Sequence, residues 1–191
     1  MLKQDKPSGS GHFHAVRFYE DPASLCRIVA DFIGEGLGTS TPAIIIATPS
    51  HLTRIVTELN LRAFDIPTLQ KRGDLFLLDA NDLLSRFMVD GKPDSNRFNE
   101  AMTPVLTKAC RGRENCTIRA YGEMVDVLWK AGDTVAAIRL ETLWNKLAQT
   151  HDFSLLCGYA MGNFYKDATQ EEICRQHTHL VAESGEASTV N

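Results

Sequence analysis

Along this chain, short unbroken apolar runs alternate with longer stretches in which apolar residues recur every three or four positions. The first pattern marks strands covered on both faces, and the second marks amphipathic helices. Residues 42–48 (PAIIIAT), 74–80 (DLFLLDA) and 153–160 (FSLLCGYA) are the continuous runs. Residues 14–20 (HAVRFYE) alternate instead, and 117–121 are rich in β-branched and aromatic side chains, so both are predicted strands as well. Asp21 and Pro22 suit the cap and first turn of a helix reaching Ile33, with Leu25, Ile28, Val29 and Phe32 as its buried stripe. Gly34, Gly36 and Gly38 are expected to end it as a C-cap and turn. Helices are also predicted over residues 50–61, 81–88 and 96–110, the last one kinked or broken at Pro104. Residues 89–95 (VDGKPDS) make a turn-rich loop.

The region around residues 116–147 is the most informative. A strand ends in Gly122-Glu123, a short helical run reaches Trp129, and Ala131-Gly132-Asp133 breaks it. Asp133 then caps a long helix whose Ala136, Leu140, Leu143 and Leu147, with Trp144 and Ala148 beside them, form one broad apolar face. A final helix is predicted over residues 169–181. Strands alternating with helices imply βαβ crossovers. The expected fold is a three-layer α/β domain with a mainly parallel sheet and helices on both faces. Residues 12–182 form this one domain, between flexible tails at 1–11 and 183–191.

Composition narrows the function. A formal charge of −4 and a pI near 5.9 disfavour direct nucleic-acid binding, which calls for a basic surface. No apolar run is long enough to span a membrane, and the N-terminal stretch lacks the apolar core of a secretory signal. The five cysteines are odd in number, widely spaced and form no CxxC, which argues against a disulfide framework and for a reducing, cytoplasmic setting.

Candidate chemistry begins with an absence in the sequence. Where a nucleotide-binding α/β protein carries a glycine cradle and lysine after its first strand, this chain has Tyr19-Glu20-Asp21-Pro22-Ala23-Ser24. Two acids there repel phosphate, so neither nucleotide hydrolysis nor a cofactor is expected. Glu123, with Tyr121 before it, lies at the C-terminal end of a strand, where open α/β sheets bind ligands. It is either a ligand-site carboxylate or simply a favourable charge at a helix N-terminus. Cys174 and His177 share a helical face at i and i+3, with His179 pointing elsewhere. A metal site there would need further ligands, of which only His14 and Cys157 are within reach, and satisfied core residues are the simpler reading. His177 and His179 can instead hydrogen-bond a ligand or tie the last helix to the sheet. The expectation is that this helix closes over the crevice with His177 paired to Glu123. Tyr19, Trp129, Trp144 and Tyr159 are aromatic candidates for a pocket lining, although such residues are more often core.

The segments HAVRFYEDPASL, YGEMVDVLW, AAIRLETLWNKLA, FSLLCGYAM and ICRQHTHL, in this order, resemble the MEDS domain, a sensory domain named after methanogens, methylotrophs and the dichloromethane-responsive repressor. The resemblance implies a RecA/KaiC-like fold that has lost its phosphate loop. It also implies a non-enzymatic sensor of a small organic ligand, in two-component or related signalling, with a histidine kinase or transcriptional regulator as partner. With no kinase or helix-turn-helix pattern in the sequence, output is expected to pass through a partner protein or a homodimer. The rival readings are a degenerate nucleotide-handling or hydrolytic enzyme using Glu123 with His177 or His179, and a pure interaction module.

Overall fold

The computed structural model describes residues 13–163 and 167–190, so the expectation for residues 1–11 falls outside it. The predicted strands form as β1 (His14–Tyr19), β2 (Ala43–Ala47), β3 (Leu75–Asp79), β6 (Ile118–Gly122) and β7 (Phe153–Ala160). A two-residue hairpin of β4 (Met88–Val89) and β5 (Lys92–Pro93) lies between β3 and β6. It turns on Asp90 and Gly91, both at positive φ as tight hairpin turns require. The main sheet has the order β3-β2-β6-β7-β1, continued by β8 (His179–Val181) and β9 (Ala187–Thr189), and is parallel up to β8.

Period-two alternation decides which helices cover which face. Ala15 and Tyr19 of β1, Ile45 of β2, Tyr121 of β6 and Leu156 of β7 face α1 (Pro22–Gly38), α2 (Pro49–Leu61) and α3 (Ile66–Arg72). Val16, Ile44, Ala120, Leu155 and Cys157 face the other layer, made of α4 (Ala80–Phe87), α5 (Ser95–Ala109), α6 (Met124–Lys130) and α7 (Thr134–Leu147). This is the three-layer arrangement expected. Trp144 anchors the second layer: it is 1% exposed and meets Phe98 and Phe153 edge-on, with ring centroids 5.2 and 5.8 Å away.

Several local expectations fail for identifiable reasons. Helix α1 does not stop at Ile33 but continues to Gly38. Gly34 and Gly36 are places of close approach rather than caps: a Cβ at Gly34 would lie 3.0 Å from the Phe64 ring, and one at Gly36 would lie 2.8 Å from Arg119 Cδ. Helix α5 runs unbroken through Pro104. Pro104 and Glu100 are exposed, so water can satisfy the carbonyl that the proline leaves unbonded, while Phe98, Met102 and Leu106 pin the helix from below. Helix α3, capped by Asp65 and ended by Gly73 at φ 76°, has no counterpart in the sequence prediction.

Cys110 and Cys116 form a disulfide, contrary to the expectation of none. Gly112 and Asn115, both at positive φ, fold the intervening turn back and bring the two Cα atoms to 5.6 Å. The last predicted helix is shorter than expected. Helix α8 (Asp167–Arg175) ends early, and His179–Val181 becomes β8 beside β1. Residues 187–189, expected in a flexible tail, form β9 (Ala187–Thr189), antiparallel to β8. Pairing with β1 satisfies backbone groups that a helix over residues 176–181 would have bonded internally.

Candidate functional site

Three places concentrate chemistry, and the topology keeps them apart. The first is the C-terminal edge of the sheet. Parallel pairing sets Ile46 opposite Gly122, which brings Thr48, the N-cap of α2, alongside Glu123. Glu123 is 1% exposed and accepts from the Thr48 amide at 3.0 Å and the Thr48 hydroxyl at 3.4 Å. Thr48 makes no side-chain cap of its own, so Glu123 supplies negative charge at the α2 N-terminus. His51 Nδ1 lies 2.7 Å from Glu123 Oε1, close enough for electrostatic contact although outside hydrogen-bond alignment.

Beside it, the fully buried Asp126 binds three elements together. It accepts from the Tyr19 hydroxyl at 2.9 Å and from the Ala160 amide at 3.0 Å, and it pairs with Lys130 at 2.6 Å. Burial, together with the charge and hydrogen bond of Asp126, holds the Tyr19 phenol well above its ordinary range. At the β1–α1 turn, Asp21 accepts from the amides of Ala23 and Ser24 at 2.9 and 3.0 Å. Those are N-terminal helix amides of the kind that bind phosphate in nucleotide sites. Here the protein's own carboxylate occupies them.

The second place is a buried cluster on the opposite face, built from His14 of β1, Glu141 of α7, Cys157 of β7 and His177 after α8. Their donor atoms all lie within 4.8 Å of one another and all four residues are buried. His14 Nε2 is 3.2 Å from Glu141 Oε2 and 3.4 Å from Cys157 Sγ, and Cys157 Sγ is 3.7 Å from Glu141 Oε2. His177 Nε2 is 3.3 Å from Glu141 Oε1, which also receives the Tyr159 hydroxyl at 2.7 Å. Burial opposes ionisation of Glu141, yet the charge of His177 and the hydrogen bond from His14 outweigh it and hold the carboxyl below its usual range. Burial, then the Glu141 charge, pushes the Cys157 thiol well above its ordinary value.

The third place is a groove of about 690 Å³ between α1 and the β8–β9 hairpin, on the α1 face. Phe13, Ile28, Phe32, Phe64, Leu156 and Val181 give it an apolar floor, and Arg27, Asp31, Glu35, Arg62 and Glu183 bring charges to its rim.

The sequence-predicted residues therefore divide. Glu123 and Tyr19 share the C-terminal edge. Tyr121 is near them but fully buried, its hydroxyl without a hydrogen-bond partner and accommodated by Gly158, where a Cβ would lie 2.8 Å away. His14, Cys157, Tyr159 and His177 meet in the cluster. Cys174 stays outside it as a partly exposed free thiol. His179 bonds Thr178 Oγ1 at 2.8 Å and packs 4.7 Å from the Phe13 ring, and desolvation lowers its pKa.

The expected pairing of Glu123 with His177 does not form. Strand β8 runs parallel to β1 with Ala15 opposite His179, so the residues before it sit at the N-terminal edge of the sheet. Glu123 ends β6 at the other edge, and by register Ala15 is level with Leu156 and Tyr121, so Glu123 stands about four residues, roughly 13 Å, beyond the level of His177 and on a different strand. It also turns to Thr48 and His51 on the α1 face, whereas His177 meets Glu141 on the opposite face. Glu141 takes the role assigned to Glu123. Its sequence signal is a charge inside an apolar helical stripe, four residues after Ala137 and three before Trp144, all buried. His51, Thr48 and Asp126 also lacked mention, and only the crossing of α2 and α6 at one sheet edge reveals them.

Together these features define a mainly parallel α/β domain whose β1–α1 turn is capped by its own Asp21. Residues 13–178 match the family model described as MEthanogen/methylotroph, DcmR Sensory domain, or MEDS, and the chain belongs to that family. The family is one of sensory domains, which fits a role in signalling. No curated protein matches the chain.

Proposed function

We propose that this chain is a non-enzymatic sensor of a small, mostly apolar organic molecule, and that the molecule binds in the groove between α1 and the β8–β9 hairpin. The observation that carries this reading is the groove itself. At about 690 Å³ it lies within the range of small-molecule sites, and its lining combines an apolar floor with a few charged groups. The C-terminal edge is the weaker location, because Glu123, Asp126 and Asp21 already have partners within the protein. A catalytic pair of Glu123 with His177 or His179 likewise lacks support, since the pairings of these residues lie elsewhere.

One wall of the groove is a terminal hairpin joined to the sheet by only a few ladder positions, which makes it the element best placed to move with occupancy. Its movement would carry the signal to a partner protein, a histidine kinase or transcriptional regulator, or to a second copy of the chain. No helix among the described residues is long and apolar enough to cross a membrane. A cytoplasmic setting, where such partners act, belongs to the same proposal.

The test is a thermal-shift screen with small organics and nucleotides, because a ligand that binds only the folded state raises its stability in proportion to RT ln(1 + [L]/Kd). Hits are then rechecked in Ala187→Trp, which fills the groove mouth from an exposed position, and in Glu123→Gln. Stabilisation lost in Ala187→Trp and kept in Glu123→Gln is the expected result. The reverse pattern would move the site to the C-terminal edge, and saturable ATP binding would overturn the sensory reading of the Asp21-capped β1–α1 turn.

A further inference from the structure

We propose that His14, Glu141, Cys157 and His177 form a metal site for a zinc-class divalent cation, coordinated by two imidazole nitrogens, one carboxylate oxygen and one thiolate. The inference is independent of the groove, which lies on the other face of the sheet. Its first support is the state of the two imidazoles. His177 Nδ1 lies 2.7 Å from the Ile173 carbonyl oxygen, an acceptor only, so Nδ1 carries the proton. His14 Nδ1 lies 2.8 Å from Asn145 Oδ1, and the Asn145 amide nitrogen donates to the Gln176 carbonyl at 2.9 Å, which fixes the oxygen towards His14. With Nδ1 engaged in both rings, the remaining nitrogen, Nε2, faces the Glu141 carboxylate in each, where it meets the carboxylate through either a proton or a cation. His177 Nε2 is buried at 3.3 Å from Oε1 without a hydrogen bond. Two ring nitrogens, a thiol and a carboxylate converging on one buried point call for positive charge between them, which one bound dication supplies in place of the ring protons.

The second support is spacing. Zinc bonds of about 2.0–2.1 Å to nitrogen or oxygen and about 2.3 Å to sulfur imply tetrahedral edges of roughly 3.3–3.6 Å. His14 Nε2, Glu141 Oε2 and Cys157 Sγ form a triangle of 3.2, 3.4 and 3.7 Å, close to such edges; His177 Nε2 lies 3.3 Å from the other carboxylate oxygen, and all four ligand atoms fall within 4.8 Å, so a small shift of the carboxylate or of His177 completes the set. The third is the surrounding shell. Each ligating histidine gives its other ring N–H to a carbonyl or amide oxygen, and Tyr159 bonds the carboxylate, as the outer shells of metal sites do.

Charge completes the argument. A dication with one carboxylate, one thiolate and two neutral imidazoles makes a centre without net charge, as burial requires. Cys157 enters as the thiolate, forming the metal–sulfur bond while its proton leaves to solvent. The ligands come from β1, α7, β7 and the turn before β8, so a bound ion fastens the C-terminal segment to the core.

Because the cluster is buried, the ion is best supplied during folding. The chain is expressed without a metal-affinity tag in zinc- or cobalt-supplemented minimal medium, purified without chelator and analysed for metal. One equivalent of metal per chain is expected, and the cobalt form should show tetrahedral d–d bands with a thiolate-to-cobalt charge-transfer band. Cys157→Ser should abolish the charge-transfer band, and His177→Gln should lower occupancy at least tenfold. Should His177→Gln fail to fold, the band in Cys157→Ser decides. Less than about a tenth of an equivalent in both preparations overturns the site. So does a cobalt spectrum that both substitutions leave unchanged, which would mark an adventitious surface site.

Discussion

Gly36 offers a sharp test of how α1 meets the sheet. Helix propensity alone predicts that Gly36→Ala stabilises the protein, by up to about 1 kcal/mol in a helix interior. The structure predicts the opposite sign. A Cβ at Gly36 would sit 2.8 Å from Arg119 Cδ, 3.2 Å from Cγ and 3.3 Å from Nε. Arg119 cannot simply swing aside. Its Nη1 donates to the Phe32 carbonyl at 2.6 Å, pairs with Glu35 at 3.1 Å, and its guanidinium stacks 4.9 Å from the Phe32 ring centroid. Overpacking of this kind costs about 1–3 kcal/mol, which exceeds the propensity gain. Gly38 is the control: nothing lies within 4 Å of a Cβ there, so Gly38→Ala keeps a gain of about 0.5–1 kcal/mol. Urea denaturation followed by circular dichroism, with m held constant, should separate the two variants by about 1–3 kcal/mol, Gly36→Ala being the less stable. In an Arg119→Ala background, Gly36→Ala should lose its penalty. If Gly36→Ala is as stable as Gly38→Ala in the native background, the close-approach reading of this helix is wrong.

Thiol counting tests the cysteine assignments: at pH 8 the native chain should expose one thiol promptly, Cys174, three after denaturation and five after reduction. Cys26 should stay unmodified, because burial, then the charge of Glu123, pushes its thiol up to about 11, and five thiols without reductant would exclude the disulfide. Trp144→Ala should lose about 3–5 kcal/mol in denaturant titration, as expected for an aromatic wedged between Phe98 and Phe153, and a loss below about 1 kcal/mol would remove it from the core. A double-mutant cycle of Glu123→Gln with His177→Gln should be additive to within about 0.5 kcal/mol, and substantial coupling would contradict the placement of the two residues on opposite faces of the sheet with separate partners.

The element pattern was legible because it depends on local chemistry. Residues 42–48 could be assigned as a buried strand from their side chains alone, Asp21 and Asp133 announce helix starts by hydrogen bonds made within three residues, and Pro22 does so by its fixed φ. The same locality explains the errors. Gly34 and Gly36 mimic a helix end because their reason for being glycine is Phe64 and Arg119, remote in sequence. Residues 176–181 carry a helical stripe, yet β1 offers them a ladder that no neighbouring residue encodes.

By itself, then, the sequence determined the α/β class, the Asp21 cap at the β1–α1 turn and the chemistry-bearing histidines and cysteines, since composition and spacing suffice for those. Only the tertiary structure decided which acid meets which histidine. Helices α2 and α7 cover opposite faces of the sheet, and that is enough to give His177 to Glu141 on one face and leave Glu123 to Thr48 and His51 on the other.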